Sequence, residues 1–320
     1  MRILLTGSSG WLGRFLAPRL RREGHEVTGL DVAPGSDTDV VGSIADRALV
    51  ERTFTDRGIE ATIHAGALHK PDIVRYPAQA FVDVNVSGTL NLLEAAAAAG
   101  NDRFVFTSTT SLMVSSQLHR GLTGQAVWMT EEHGPLEPRN IYGITKLAAE
   151  QLCRLVHRTS GMAVVILRTG RFFPEDDDTI RDLAGPNIKA NEFLNRRLTV
   201  EDAAEAHVAA LDRAPELSFD TFIVSAPPPF EQAQCEELGR DSAAVVARRF
   251  PEAAGLYARA GWSLPERIDR VYDPARAEAR LGFRCRTDFA AVLAALADGR
   301  PLPFVHDPSY VSPMLGGRDR

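Results

Sequence analysis

The chain has 320 residues, long enough to bury one large core or two closely joined ones. With 44% hydrophobic and 24% charged residues and a formal net charge of -6, it gives no electrostatic reason to expect nucleic acid or an anionic membrane as a partner. No apolar run reaches the roughly 18 residues of a membrane span, and Met1-Arg-Ile-Leu-Leu-Thr-Gly7 runs into a glycine turn too early for a signal peptide. Three scattered cysteines, Cys153, Cys235 and Cys285, suit neither a disulfide framework nor a zinc site. Reduced thiols in a cytoplasmic protein without a metal are the expectation.

The first half alternates short apolar runs with longer amphipathic ones, which predicts an α/β fold with a doubly wound parallel sheet. Residues 2–6 read as a strand, a glycine turn follows, and a helix runs from about Leu12 to Glu23, where Gly24 stops it. His25–Leu30 reads as the second strand, ending at Asp31, and Ala61–His64 as a short buried one. An alanine-rich helix is expected over Val86–Ala99, a strand over Arg103–Thr107, a helix over Ile144–Arg158 and a strand over Met162–Leu167. Two polar stretches, Ser115–Asn140 and Pro174–Asn195, read as loops. The expected division is a nucleotide-binding, catalytic domain over 1–170 and a smaller, discontinuous substrate lobe over 171–320. A segment near 197–225 is expected to return to the first domain.

Thr6-Gly7-Ser8-Ser9-Gly10-Trp11-Leu12-Gly13 follows the first strand and opens the first helix. Glycines in that place permit a tight turn, close approach of backbone to a pyrophosphate and close helix–strand packing. The free N–H groups at the helix start, with its dipole, then hold the negative charge. Asp31 ends the second strand where a carboxylate can accept both hydroxyls of an adenosine ribose and repel a 2′-phosphate. Val32 and Ala33 follow without an adjacent arginine, so NAD is the expected cofactor.

Tyr142-Gly-Ile-Thr-Lys146 places a phenol and an ammonium one helical turn apart on one face. A free tyrosine has a pKa of about 10, too high for a base at neutral pH. A neighbouring Lys⁺ and a positively charged nicotinamide favour the phenolate, so Tyr142 can take the proton of a substrate hydroxyl as hydride leaves. The same spacing also arises as a plain surface pair on a helix. Phe104-Val-Phe-Thr-Ser-Thr-Thr-Ser111, a strand ending in a hydroxyl cluster, supplies side chains able to hydrogen-bond a reacting oxygen.

With these motifs the chain resembles the extended short-chain dehydrogenases/reductases, the NAD-dependent epimerase/dehydratase family. The likeness runs through Ile63-His-Ala-Gly-Ala67, Asn85-Val-Ser-Gly-Thr-Leu-Asn-Leu-Leu-Glu-Ala95, Leu167-Arg168 and Arg197-Leu-Thr-Val-Glu-Asp-Ala203. It extends to Tyr272-Asp-Pro-Ala-Arg276 and Leu281-Gly-Phe283. The resemblance implies Thr109, Tyr142 and Lys146 as the catalytic set, with Tyr142 and Lys146 also touching the cofactor. It implies Gly7, Gly10 and Gly13 at the pyrophosphate, with Trp11 and Leu12 lining that turn and Asp31 on the ribose. Ser43 and Ile44 stand where the family has an acidic and a hydrophobic residue over adenine, and Ser43 is a departure. Ala65, Gly66, Ala67 and Asn85 are expected beside the cofactor, and Thr107 and Ser108 beside the nicotinamide ribose. The Val86–Ala99 and Ile144–Arg158 helices are expected to form a homodimer by four-helix packing.

Two departures bear on the substrate. Arg171 stands where family members acting on nucleotide sugars usually carry an asparagine, and only 22 residues separate Pro174 from Arg197. The Phe173-Pro-Glu175 stretch resembles hexuronate dehydrogenases, which implies a free, acidic sugar-like substrate. Arg171, Arg181 or Arg197 could hold its carboxylate through a bidentate fork. His69, Lys70 and Ser111 are further candidates at the pocket mouth. The alternative is a nucleotide-sugar epimerase or dehydratase that keeps its NAD.

Overall fold

A computed structural model describes residues 1–176 and 182–314. The chain begins with β1 (Arg2–Thr6), α1 (Trp11–Arg22), β2 (Glu26–Asp31), β3 (Val40–Val41), α2 (Arg47–Arg57) and β4 (Ala61–His64). Next comes α3 (Ala78–Phe81), which runs through a π-helical turn, Val82–Gly88, into α4 (Thr89–Ala98). β5 (Arg103–Thr109), α5 (Ser116–His119), β6 (Val127–Met129), α6 (Ile141–Ser160) and β7 (Ala163–Thr169) follow. The remainder holds α7 (Gly185–Glu192), α8 (Val200–Leu217), β8 (Phe219–Val224), α9 (Cys235–Arg249), α10 (Ala253–Ala260), β9 (Arg270–Tyr272) and α11 (Phe289–Asp298).

Seven strands form a parallel sheet in the order β3-β2-β1-β4-β5-β7-β8. Each central strand is apolar on both sides, as helices on both faces of a parallel sheet require. Ile3, Leu5, Val105, Val165 and Leu167 meet Leu12, Leu16 and Leu20 of α1 and Ala203, Ala206, Ala210 and Leu211 of α8. Leu4, Phe104, Phe106, Val164 and Ile166 meet Val50 and Phe54 of α2, Leu92, Leu93 and Ala96 of α4, and Ala149 and Cys153 of α6. Strand order reverses between β1 and β4, and such a reversal opens a crevice at the carboxyl ends of the strands where ligands bind.

A third core lies beyond the sheet, formed by Phe193 and Leu194, by Leu238, Val245 and Val246 of α9, by Leu256 and Tyr257 of α10, and by Phe289 and Val292 of α11. Ala126 joins it from the first half of the chain, while Ala277, Leu281 and Cys285 pack back into the first core.

Both stretches expected as loops contain regular structure. Ser115–Asn140 holds α5 and β6, and β6 pairs in parallel with β9, so its register is set by a strand some 140 residues away. Within Pro174–Asn195 lies α7, whose Asn187, Lys189, Asn191 and Glu192 are all buried and therefore carry no amphipathic signal. The helix expected from Ile144 begins at Ile141, because Asn140 caps it: the Gly143 N–H donates to Asn140 Oδ1 at 2.9 Å. Among the described residues no helix is long and apolar enough to cross a membrane, and no cluster of metal-ligating side chains occurs.

Candidate active site

The turn after β1 is held by close backbone approach. Gly7 has φ +76°, and a Cβ there would lie 2.8 Å from the Gly66 N. A Cβ on Gly13 would come within 2.2 Å of the Gly7 carbonyl oxygen, so α1 can start this close to the turn only without a side chain. Asp31 braces the turn from β2. Its carboxylate accepts the Ser9 N–H at 3.0 Å and the Ala33 N–H at 3.1 Å, and burial raises its pKa.

The loop after β4 is fixed by a chain of hydrogen bonds. The Thr89 hydroxyl donates to the Asn85 carbonyl at 2.7 Å, which leaves its oxygen to accept from His64 Nε2 at 2.9 Å. His64 Nδ1 then accepts the Thr6 hydroxyl at 2.8 Å, and the Thr6 oxygen accepts the Gly66 N–H at 3.0 Å. Asn85 grips both backbone groups of Leu68, accepting its N–H at 2.9 Å and donating to its carbonyl at 3.0 Å, and also donates to Thr145 of α6. These buried, fully paired groups lock Ala65–Leu68 against two helices. Asn85 therefore shapes the cleft from behind and does not line it.

The cleft at the strand-order reversal is a cavity lined by Gly7, Gly10, Trp11, Leu12, Asp31, Ser43, Ile44, Ala65, Gly66, Ala67 and Thr107. Nearly every residue expected at the cofactor is thus brought to one wall; Gly13 packs beneath it, and Ser108 belongs to the neighbouring cavity. Phe172, Phe173, Tyr310, Ser312 and Pro313 also line it, and the sequence reading did not anticipate them.

A second cavity of about 350 Å³ adjoins the first, sharing Ala65, His69, Thr107, Phe172 and Phe173 with it. Thr109, Ser111, Tyr142 and Lys146 face it together, with Lys70 and Arg171. The Thr109 hydroxyl lies close enough to the Tyr142 phenol to favour its ionised form, but burial outweighs this and the pKa is pushed up to about 12. Burial likewise brings Lys146 down to about 7, its ammonium resting 4.1 Å from the Phe106 ring centre. Burial thus favours a neutral phenol beside an ammonium that loses its proton near neutrality.

Around this pair the side chains are held from behind. The Ser108 hydroxyl donates to Glu150 Oε1 at 2.6 Å, and Arg168 makes a buried two-pronged bridge to the same carboxylate at 3.0 and 2.8 Å. Ser108 therefore points its hydroxyl into the protein. His207 Nδ1 donates to the Ala203 carbonyl at 2.7 Å, which leaves Nε2 to accept the Thr107 hydroxyl at 2.7 Å. His69 lies edge-on to Tyr142 and Phe173, ring centres 6.0 and 5.1 Å apart, and burial lowers its pKa to about 4. It is a neutral wall residue.

The expected arginines divide. Arg197 is only 1% exposed, and it bonds Glu192 at 2.7 Å and the Phe173 carbonyl at 2.7 Å. It lies outside the residues lining the catalytic cavity, so it holds the protein together and does not reach a substrate. Arg171 lines the cavity, but its guanidinium donates to the Asp176 carbonyl at 3.2 Å and stands 3.9 Å from Glu192. Arg181 falls outside the described residues. Arg139, not singled out from the sequence, lines the same cavity half-buried, with no hydrogen bond or ion pair to any described residue. Its place three residues before Tyr142 was a signal available in the sequence.

A doubly wound parallel sheet, a glycine turn at its reversal point and a tyrosine–lysine pair beside that turn define a dinucleotide-binding protein of the short-chain dehydrogenase/reductase kind. The NAD dependent epimerase/dehydratase family matches residues 3–184, and the protein belongs to that family. It is similar to UDP-glucose 4-epimerase 4 of Oryza sativa subsp. japonica, at 30% identity over 52% of this chain and 48% of that one. It is also similar to uronate dehydrogenase of Pseudomonas syringae pv. tomato, at 28% identity over 54% of this chain and 60% of that one. The chain thus spans about half to three-fifths of the length of these relatives. Among solved structures, a short-chain dehydrogenase/reductase superfamily protein from Agrobacterium tumefaciens with bound NAD superposes with a TM-score of 0.65. That match has 26% identity and covers 93% of this chain and 96% of the other. The family is NAD-dependent, and NAD is the cofactor of this protein.

Proposed function

We propose that the protein is an NAD-dependent oxidoreductase acting on a free, acidic, sugar-like alcohol. The observation that carries this reading is the catalytic cavity itself, where Thr109, Tyr142 and Lys146 share a wall with the unpaired guanidinium of Arg139.

When bound, NAD would supply a hydride acceptor for the carbon that bears the substrate hydroxyl. Gly7, Gly10 and the N–H groups opening α1 would hold its pyrophosphate, Asp31 its adenosine ribose, and Thr107 its nicotinamide side. Tyr142 takes the hydroxyl proton of the substrate alcohol, and Thr109, beside the phenol on the same cavity, orients the same oxygen. Lys146, placed one turn along α6, favours the phenolate when charged. His69, Phe172 and Phe173 keep water from the junction of the two cavities. Arg139 anchors the substrate's carboxylate, which the likeness to a uronate dehydrogenase supports.

A second reading, a nucleotide-sugar epimerase that keeps its NAD, draws on the UDP-glucose 4-epimerase relatives and on one geometric fact. A wide cleft of about 780 Å³ joins the catalytic cavity through His119, Arg196 and Arg270, leaving room for a bulkier substrate. One panel separates the two. Steady NADH production from hexuronic acids supports the dehydrogenase; micromolar binding of UDP, GDP or dTDP to the NAD-loaded protein, without net NADH, supports the epimerase.

Two coarser features complete the proposal. Ile144 and Leu155 expose apolar side chains on α6 and suit a homodimer built on that helix and α4, which sedimentation at graded concentration would test. Cys153, Cys235 and Cys285 are free and buried, as suits a cytoplasmic setting.

A further inference from the structure

After α11 the chain returns across the nucleotide-binding face. The Asp307 N–H donates to the Pro174 carbonyl at 2.9 Å, and the Asp307 carboxylate accepts the Ser309 N–H and hydroxyl at 2.9 and 2.6 Å. That turn delivers Tyr310 edge-on to Trp11, ring centres 5.3 Å apart and planes at 64°. Tyr310, Ser312 and Pro313 thereby line the cofactor cavity together with Gly7 and Gly10.

Two further facts give this wall a chemistry. Among the described residues lining the cavity there is no lysine or arginine, and Asp31 is the one formally charged group, with Arg14 near enough to lower the pKa of both Asp31 and Tyr310 against the larger effect of burial. A dinucleotide pyrophosphate carries negative charge, so within this described wall its oxygens are left to neutral donors. Two such donors stand without an acceptor: the Trp11 indole Nε1 and the Tyr310 hydroxyl are buried and hydrogen-bond no described residue. The Ser312 hydroxyl and the Trp11 backbone N–H are both near enough to Tyr310 to favour its ionised form, yet neither meets hydrogen-bond geometry with it. Buried donors are normally paired, and an orphaned pair on the wall of a ligand cleft is accounted for by the ligand.

We propose that residues 306–313 form a strap over the bound dinucleotide, with the Tyr310 hydroxyl and the Trp11 indole N–H donating to its pyrophosphate. Among the described residues few contacts tie the strap to the body: the Asp307–Pro174 hydrogen bond, the Trp11–Tyr310 ring contact, and the approach of His306 to Lys189 at 2.9 Å and to Asp176 at 3.7 Å. It can lift for the cofactor to enter and close once the two donors find acceptors. Cofactor release then waits on strap opening, a step of the kind that often limits turnover. The proposal concerns NAD alone, so it stands or falls independently of which substrate the enzyme takes.

The test uses the full chain and four variants, read by calorimetric titration with NAD and by stopped-flow release of NADH. Tyr310→Phe deletes only the hydroxyl and should weaken NAD by about tenfold, the scale of one hydrogen bond to a charged group. Trp11→Phe should weaken it similarly, and Tyr310→Ala should also speed NADH release by about tenfold or more. Tyr257→Phe is the control, since Tyr257 Oη is also buried and unpaired but lies in the third core; NAD affinity should not change. Unfolding midpoints measured without cofactor identify any variant that has merely lost its fold. NAD affinity within about twofold of the parent for both Tyr310 variants would overturn the proposal. So would tighter binding, which would make the segment a competitor of the cofactor and not its clasp.

Discussion

Tyr142 and Lys146 carry opposite burdens of burial, and the consequence is a direction for the pH dependence. Burial pushes the phenol up to about 12 and the ammonium down to about 7. Alcohol oxidation needs the phenolate, so its rate should climb as pH rises, while carbonyl reduction, which uses the neutral phenol, should stay flat over the same range. An oxidation rate that fell with rising pH between 6 and 9, at saturating substrate and with stable enzyme, would exclude Tyr142 as the base. Tyr142→Phe should cut turnover by about 10²–10⁴-fold while leaving NAD affinity nearly intact. Asp31 offers the second residue-scale expectation. Two backbone N–H groups satisfy part of its carboxylate, leaving the rest to the ribose. NAD should bind better than NADP, and Asp31→Ala should narrow the gap; equal affinities in the parent protein would remove this role. Arg139 gives the third. Arg139→Ala should raise KM by about tenfold or more for a sugar acid and leave the neutral sugar unchanged, because one charge-assisted fork is lost. A similar loss for both substrates would mean that the side chain only shapes the cavity.

The elements show how a local signal becomes a positioned group. Asn140 starts α6 two residues before Tyr142, so the cap sets where the phenol points. Asn140→Ala should cost about 1 kcal/mol of stability, and Asn140→Asp, which keeps the acceptor, should restore it. Thermal or urea unfolding of the two variants checks this. The sheet strands were legible because each is an apolar run buried on both faces, and Asp31 and Gly7 were legible because their places in the turn have one physical use. Other elements were not, for physical reasons. α2 buries only Val50, Thr53 and Phe54 among charged neighbours and shows little periodicity. α7 buries polar side chains all round, since a packed lobe and not an apolar stripe holds it in place. β6 is three residues whose partner lies in the distant β9, a pairing no local pattern reports. Within the site, Arg197 looked like Arg171 in sequence; Glu192, on α7, is what turns it inward. Tyr310 gave no periodic cue, because a strap is defined by what it covers.

At the scale of the molecule, three histidines buried neutral set an acid limit. His69 and His207 are lowered to about 4, and His64 lies well below its ordinary value, in each case chiefly through burial. An unfolded histidine takes up a proton near pH 6.5, so below that value the unfolded chain binds more protons than the folded one. Stability should therefore fall as pH drops from about 6.5 toward 4. The raised carboxyl groups Asp31, Asp72, Glu131 and Glu175 act in the opposite sense, from the ordinary carboxylate value upward. Unfolding midpoints at pH 7 and pH 5 test the sign. A midpoint unchanged or raised at pH 5 would mean these histidines are already protonated in the fold.

The cysteines reach further than the absence of a disulfide. Cys285 belongs to the core beneath α1 and α8, Cys153 to the core on the opposite face of the sheet, and Cys235 to the core beyond it. All three are buried, and burial raises each thiol's pKa, so none is reactive while its surroundings stay closed. The sequence has thus placed one silent reporter in each of three cores. Thiol labelling under native conditions, resolved by peptide, would time the opening of each region separately. Three equal rates would describe a body that breathes as one unit; a faster Cys235 would show the outer core opening while the sheet stays shut.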